Sequence, residues 1–291
     1  MRLRIHLILS FVLLFCSVAP LLAKPKVQRI HLRSRVQIQY VVDGPRNAPP
    51  IIFLHGYTDS SHSWSAVTPH LAGDYRTYAL DQRGHGESEK PQYGGYSMTH
   101  YADDVIAFMD KRSIDKAVLV GHSMGSLIAH RVAALHPQRV SHLVLIGSAT
   151  GGTNNEVLEF VWNEIVGLPS FEDPVDPDFI RDWQTGPNPV DPVFFEKVLE
   201  ETAKVPARVW KDALLGLLTD DHSAFLNKIV APTLIVWGTQ DGIFFEADQD
   251  ALRAALPDAV FTPYDGAGHN THWEEPQRFA DDLRAWIEGN P

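Results

Sequence analysis

Apolar residues along this chain fall into short runs divided by polar, glycine-rich breaks, and many runs are followed by a stretch whose apolar positions recur at helical spacing. Val27 to Leu32 and Val36 to Val42 alternate as strands do, then stop at Asp43-Gly44-Pro45, so the pattern predicts an opening hairpin. Ile51 to Leu54 is apolar throughout, like a strand buried on both faces, and leads through His55-Gly56-Tyr57-Thr58-Asp59 into a helical pattern holding Trp64, Val67 and Leu71. Thr77 to Leu80 repeats the strand signal. It ends in the polar loop Asp81 to Ser88, after which Tyr101, Val105, Ile106 and Met109 mark one helical face. Ala117 to Val120, His142 to Ile146, Thr233 to Trp237 and Ala259 to Pro263 read as further strands. Helices are predicted after the first of these, over about Ala247 to Leu256, and at the end, where Phe279, Leu283, Trp286 and Ile287 share a face.

Strands alternating with helices predict a mostly parallel sheet covered on both faces, with ligands at the carboxyl ends of the strands. Leu54-His55, Asp81 and Ser123 all fall at that edge. From about Thr150 to Lys228 the alternation stops. Six prolines between 169 and 192 exclude a regular helix or central strand there, and two helical segments, about 154–167 and 193–218, flank them. The expected organisation is a core of residues 24–150 and 229–291 interrupted by a helical cap, 151–228.

The first 23 residues differ in kind. Arg2 and Arg4 precede an apolar stretch from Leu7 to Leu22 that closes at Ala23-Lys24, the pattern of a secretory signal peptide, shorter than the roughly 20 apolar residues of a spanning helix. An uncleaved anchor is the alternative. The expectation is export to a periplasmic or extracellular space, with no stable membrane insertion after cleavage. Cys16, the one cysteine, lies within this leader, and bulky Phe15 before it counts against lipid attachment. The remaining chain has no thiol and carries 23 basic against 36 acidic residues, a formal charge of −13 compared with −11 for the whole. That balance argues against a nucleic-acid partner, because phosphate binding calls for a basic face.

The candidate chemistry sits where Val120 gives way to Gly121-His122-Ser123-Met124-Gly125 and Leu127, Ile128 and Val132 begin a helical pattern. Ser123 then occupies a strand-to-helix corner, its hydroxyl at the sheet edge and the free N–H groups of a helix start behind it. The flanking glycines suit that corner, where side chains would block the approach of helix to strand. A serine hydroxyl is a poor nucleophile without a base such as histidine, and the base needs a carboxylate to hold its tautomer.

In its motifs the chain resembles the α/β-hydrolase superfamily, in particular capped hydrolases with a serine nucleophile. The resemblance rests on His55-Gly56, Asp81-x-Arg83-Gly84-x-Gly86-x-Ser88, Gly121-x-Ser123-x-Gly125, Gly238-x-x-Asp241, and Gly268-His269 with Glu274 and Pro276 downstream, spanning roughly residues 30 to 288. It implies an α/β-hydrolase fold with an inserted helical cap, and a Ser123, Asp241, His269 triad in the chain order of that fold. The backbone N–H groups of Tyr57 and Met124 would form the oxyanion hole. His269 is preferred to His272 because of the Gly-Ala-Gly loop before it, and Asp241 to Asp220 and Asp221 because it follows a strand; His85 and His122 are read as structural.

No cofactor is expected, since the glycine spacing of the 81–88 loop fits neither the dinucleotide nor the Walker pattern, and that loop is read as a structural turn. Nor is a metal: beyond the leader there is no cysteine, and the histidines form no H-E-x-x-H pair. Tyr57, Trp162, Trp183 and Phe194 are candidate pocket walls, although Phe171, Phe179, Phe195 and Trp210 lie in the same aromatic-rich cap and the sequence does not sort lining from core. The expected activity is hydrolysis of small apolar or aromatic carboxylic esters, lactones included. Carbon–carbon bond hydrolysis, perhydrolysis or amide cleavage on the same triad, and a slow-hydrolysing ligand receptor, are the alternatives.

Overall fold

A computed structural model describes residues 24–220 and 222–290. The expected leader and cleavage site, Cys16 and Asp221 lie outside the described residues. Eight strands form one sheet in the order β1-β2-β4-β3-β5-β6-β7-β8. β1 (Lys26–His31) and β2 (Gln37–Asp43) make the opening hairpin, and β2 also pairs antiparallel with β4 (Arg76–Leu80). β3 (Pro50–Leu54), β4, β5 (Ala117–His122), β6 (Val140–Ile146), β7 (Thr233–Gly238) and β8 (Val260–Tyr264) run parallel.

The fully apolar strands are apolar because each feeds two cores. Ile52, Leu54, Leu119, Leu143, Leu145 and Ile235 pack on one face with Tyr101, Val105, Leu127 and Ile128 of the helices Met98–Arg112 and Met124–Leu135. Ile51, Phe53, Val118, Val120, Val144 and Val236 point the other way, onto Trp64, Leu71 and the Phe279 and Leu283 stripe of the helix Pro276–Gly289. Period-two alternation thus serves both faces at once.

Three helical expectations are corrected. The proline-rich stretch contains a regular helix, Pro177–Gln184, because Pro177 stands at its first position, where the missing N–H costs nothing, and Asp176 caps it by accepting from Asp178 and Phe179 N–H. The segment expected over 193–218 is two helices, Pro192–Thr202 and Ala207–Thr219, parted before Pro206, which lacks a donor to continue the first. The helix expected around Trp64 and Leu71 is likewise two short turns, Ser61–Trp64 and Thr68–Leu71. All the helices from Glu156 to Leu226 arise between β6 and β7, and residues 182–187 of this segment line one cavity with residues that follow β3, β5, β7 and β8. Among the described residues no helix is long and apolar enough to cross a membrane.

Candidate active site

β5 ends at His122 and the next helix begins at Met124, which leaves Ser123 as the whole turn, at φ 50° and ψ −119°. That left-handed φ is one that residues with a side chain seldom adopt. Glycines make room for it: a Cβ on Gly121 would come 2.3 Å from Gly125 O, and one on Gly125 would come 2.2 Å from Leu54 O. The strained turn is fixed by Ser123 N–H donating to Ile146 O at 2.9 Å, and by Ser126 N–H and Oγ donating to Ser123 O at 2.9 and 2.6 Å.

Asp241 and His269 come from the loops after β7 and β8. His269 Nδ1 lies 2.8 Å from Asp241 Oδ2, while Asp241 Oδ1 accepts from Ile243 N–H at 2.8 Å and Phe244 N–H at 3.0 Å. The carboxylate is fully buried, and the imidazole is 12% exposed. Among the described residues His269 Nε2 is buried without a hydrogen-bond partner. Gly147, at φ 50°, lets the ring sit close; a Cβ there would stand 2.9 Å from His269 Nδ1.

Ser123 and His269 line one cavity of about 290 Å³, together with Tyr57, Asp59, Trp183 and Gln184. Of the four pocket-wall candidates, Tyr57 and Trp183 lie on it. Trp162 instead packs against the main core beside Gly167. Phe194 faces a separate groove, stacked on His62 at 4.9 Å and edge-on to Trp273. Met124 N–H, at the first helical position, has no partner within its helix. Among the described residues no protein acceptor takes Tyr57 N–H either.

The neighbouring motif residues hold the loops in place. His55 Nδ1 donates to Gly56 O at 2.8 Å and its Nε2 accepts from Gln82 N–H at 3.0 Å. Asp81 accepts from Ser61 N–H and Glu87 N–H, tying the 81–88 loop to itself and to the Ser61–Trp64 turn, and Gly86 packs so closely on Asp81 that a Cβ would come 2.4 Å from its carboxyl. Arg83 and Asp104 form a buried two-pronged ion pair. His122 Nε2 donates to His269 O at 3.1 Å, and His272, fully buried, meets Ser63 Oγ at 3.1 Å and lies against Trp64. Asp220 pairs with Arg131, away from the cavity.

Asp59 is one of several cavity residues that had no part in the expectations from sequence. It is buried on the wall, where its carboxyl accepts from Gln184 Nε2 at 3.1 Å and stands 3.8 Å from His122 Nδ1. Burial pushes it up to about 7, against the lowering effect of the Gln184 hydrogen bond and the His269 imidazole. The available signal was its place, in the loop immediately after β3 at the sheet edge.

A family model described as the α/β hydrolase fold matches residues 49–276. The chain belongs to the α/β-hydrolase family. This α/β hydrolase is 30% identical over 273 residues to a bifunctional esterase/perhydrolase of Acinetobacter calcoaceticus, covering 87% of this chain and 96% of that one. Its fold is similar to that of an esterase from Exiguobacterium antarcticum, at TM-score 0.80 and 19% identity over 89% of this chain and 98% of the other. It is similar also to that of a bacterial membrane phospholipase A, at TM-score 0.79 and 24% identity over 91% of this chain and 86% of the other.

Proposed function

We propose that this α/β hydrolase is an exported carboxylic ester hydrolase acting through an acyl-enzyme on Ser123. The observation that carries the reading is the His269 imidazole, bonded through Nδ1 to Asp241, without a partner at Nε2 among the described residues, and lining the same cavity as Ser123. Ser123 Oγ attacks the ester carbonyl as His269 Nε2 takes its proton, and Asp241 stabilises the imidazolium. The oxyanion is met by the N–H groups of Tyr57 and Met124. Collapse expels the alcohol, which takes the proton from His269; water then loses a proton to His269, attacks the acyl group and frees the acid. Residues 151–228 act as a cap over this site, and export follows from the apolar leader.

A cavity of about 290 Å³ is at the small end for ligand sites and suits compact acyl groups, simple lactones or aryl esters. The Acinetobacter relative, named for both activities, favours a second reading in which hydrogen peroxide replaces water in the second step and leaves as a peracid. The test is turnover of p-nitrophenyl esters from acetate to palmitate, with and without peroxide, by the chain and its Ser123→Ala variant. Hydrolysis peaking at a short acyl chain and abolished in the variant supports the reading. Undiminished hydrolysis by Ser123→Ala refutes it.

A further inference from the structure

Three consecutive residues after the His55-Gly56 pair are each bonded to a different residue of the segment between β6 and β7. Tyr57 Oη donates to Trp210 O at 2.6 Å, Trp183 Nε1 donates to Thr58 Oγ1 at 3.0 Å, and Gln184 Nε2 donates to Asp59 Oδ1 at 3.1 Å. The Tyr57 ring is wedged edge-on between the Trp183 and Trp210 indoles, at 5.7 and 5.4 Å. Thr58 itself is at φ 68°, a left-handed conformation that a β-branched residue holds only when its surroundings impose it. Its hydroxyl imposes part of it by donating to Tyr57 O at 2.6 Å while accepting the Trp183 N–H. Within the loop, Asp59 N–H reaches Gly56 O over a long 3.3 Å.

Trp183 and Gln184 belong to the same helix, Pro177–Gln184, and both also line the cavity. A ligand in the cavity can therefore contact two of the residues whose side chains hold the loop. Thr58 is fully buried and is not on the cavity wall, so it contacts the loop and the indole but not a ligand.

We propose that Thr58 and Trp183 are positioning residues for the Tyr57 N–H, so that the cap helix Pro177–Gln184 sets transition-state stabilisation and acyl-group selectivity appears in kcat rather than KM. This rests on the reading of Tyr57 N–H as an oxyanion donor. An acyl group that fits leaves the indole on Thr58 and the N–H aimed where the oxyanion forms. One that displaces the indole frees the strained turn, and the donor moves away. Ground-state binding, which does not use that N–H, changes little.

The test compares Thr58→Val, Thr58→Ser, Trp183→Phe and the Thr58→Val/Trp183→Phe double variant in the full chain. Each is assayed for kcat and KM on p-nitrophenyl esters, for affinity towards an alkyl boronic acid, whose tetrahedral adduct on Ser123 presents an oxygen to the oxyanion donors, and towards the product carboxylate. Thr58→Val is expected to lower kcat and boronate affinity together by about ten- to a hundredfold, with KM and product affinity within about twofold. Thr58→Ser, which keeps both hydroxyl bonds, should restore both. The double variant should be no worse than Thr58→Val, because both changes remove one bond.

Wild-type kcat in Thr58→Val, or boronate and product affinities falling equally, overturns the proposal, as does a Thr58→Ser variant as impaired as Thr58→Val. Should Thr58→Val not fold, Trp183→Phe decides alone: unchanged boronate affinity overturns it. Failure of the underlying reading looks different. There the wild type cleaves no ester, or Ser123→Ala cleaves as fast and binds boronate as well, and both ideas fall together.

Discussion

Asp241 holds His269 with one oxygen and its own loop with the other: Oδ2 lies 2.8 Å from the imidazole Nδ1, and Oδ1 takes the N–H groups of Ile243 and Phe244. In the neutral ring this puts the proton on Nδ1 and leaves Nε2, which has no partner among the described residues, as the unprotonated nitrogen. Asp241→Asn can keep its carbonyl towards the two backbone donors, which turns an NH₂ group towards Nδ1 and reverses the tautomer. Turnover of a p-nitrophenyl ester is expected to fall by about 10⁴-fold in kcat. The melting temperature should barely move. A fall under about tenfold would mean that something other than Asp241 orients the ring.

Gly125 is where the helix behind Ser123 rests on the sheet. A Cβ there would come within 2.2 Å of Leu54 O and 2.7 Å of His55 O, both backbone atoms that cannot swing aside. Gly125→Ala must push the helix off β3, at a cost of about 1–3 kcal/mol or more, and move the Met124 N–H with it. Gly73 provides the contrast, with nothing within 4 Å of a Cβ. Thermal unfolding and kcat measured on both should show loss in Gly125→Ala and, in Gly73→Ala, a stability change within about 0.5 kcal/mol. Equal effects would mean that the close approach at Gly125 is not what matters.

Those two positions also mark what a sequence can carry. Apolar runs end where the chain leaves the sheet, so the strand ends near Leu54, Leu80 and Trp237 were legible to within a residue or two, and with them the loops holding Tyr57, Ser123 and Asp241. Local chemistry decides such ends. The helix Pro177–Gln184 was misread because counting prolines overlooks where each one stands, and Pro177 stands at the one helical position that favours it. Asp59 was missed for another reason. Its partner Gln184 lies 125 residues away, and no periodicity or spacing announces a contact made only when a distant helix folds over the loop.

Asp59 gives stability a dependence on pH. Its carboxyl is pushed up to about 7, from an ordinary value of 3.8 in the unfolded chain, chiefly by burial. Between those values the folded protein keeps a proton that the unfolded chain has released, so this group's contribution is intact below pH 3.8 and is lost as pH rises through 7. Asp59→Asn removes that loss while keeping an acceptor for Gln184 Nε2. The variant should melt above the wild type at pH 8, by an amount on the order of a few kcal/mol at most, with the gap closing towards pH 4. A gap that widens on acidification would contradict the assigned cause.

Five buried histidines pull in the opposite direction. Burial is the largest influence on each of His55, His85, His122, His130 and His272 and lowers its pKa, to about 4 for His85; His272 and His269 add to the effect on His122, His85 to that on His55, His222 to that on His130 and His269 to that on His272. Their hydrogen bonds suit the neutral ring. His55 Nε2 accepts the Gln82 N–H and so has no room for a proton, while His122 and His272 pack at 4.6 Å, where two imidazolium charges would repel. In the unfolded chain each titrates near 6.5, so below that pH the unfolded state binds protons that the folded state refuses. The stability they contribute is therefore complete above pH 6.5 and drains away as pH falls through it, with Asp59 offsetting only one group's share. Thermal unfolding followed from pH 8 to pH 5 should show the melting temperature falling steadily below pH 6.5. A melting temperature that holds level or rises over that range would mean that these rings accept protons in the fold, and that the packing around His122 and His272 opens to admit them.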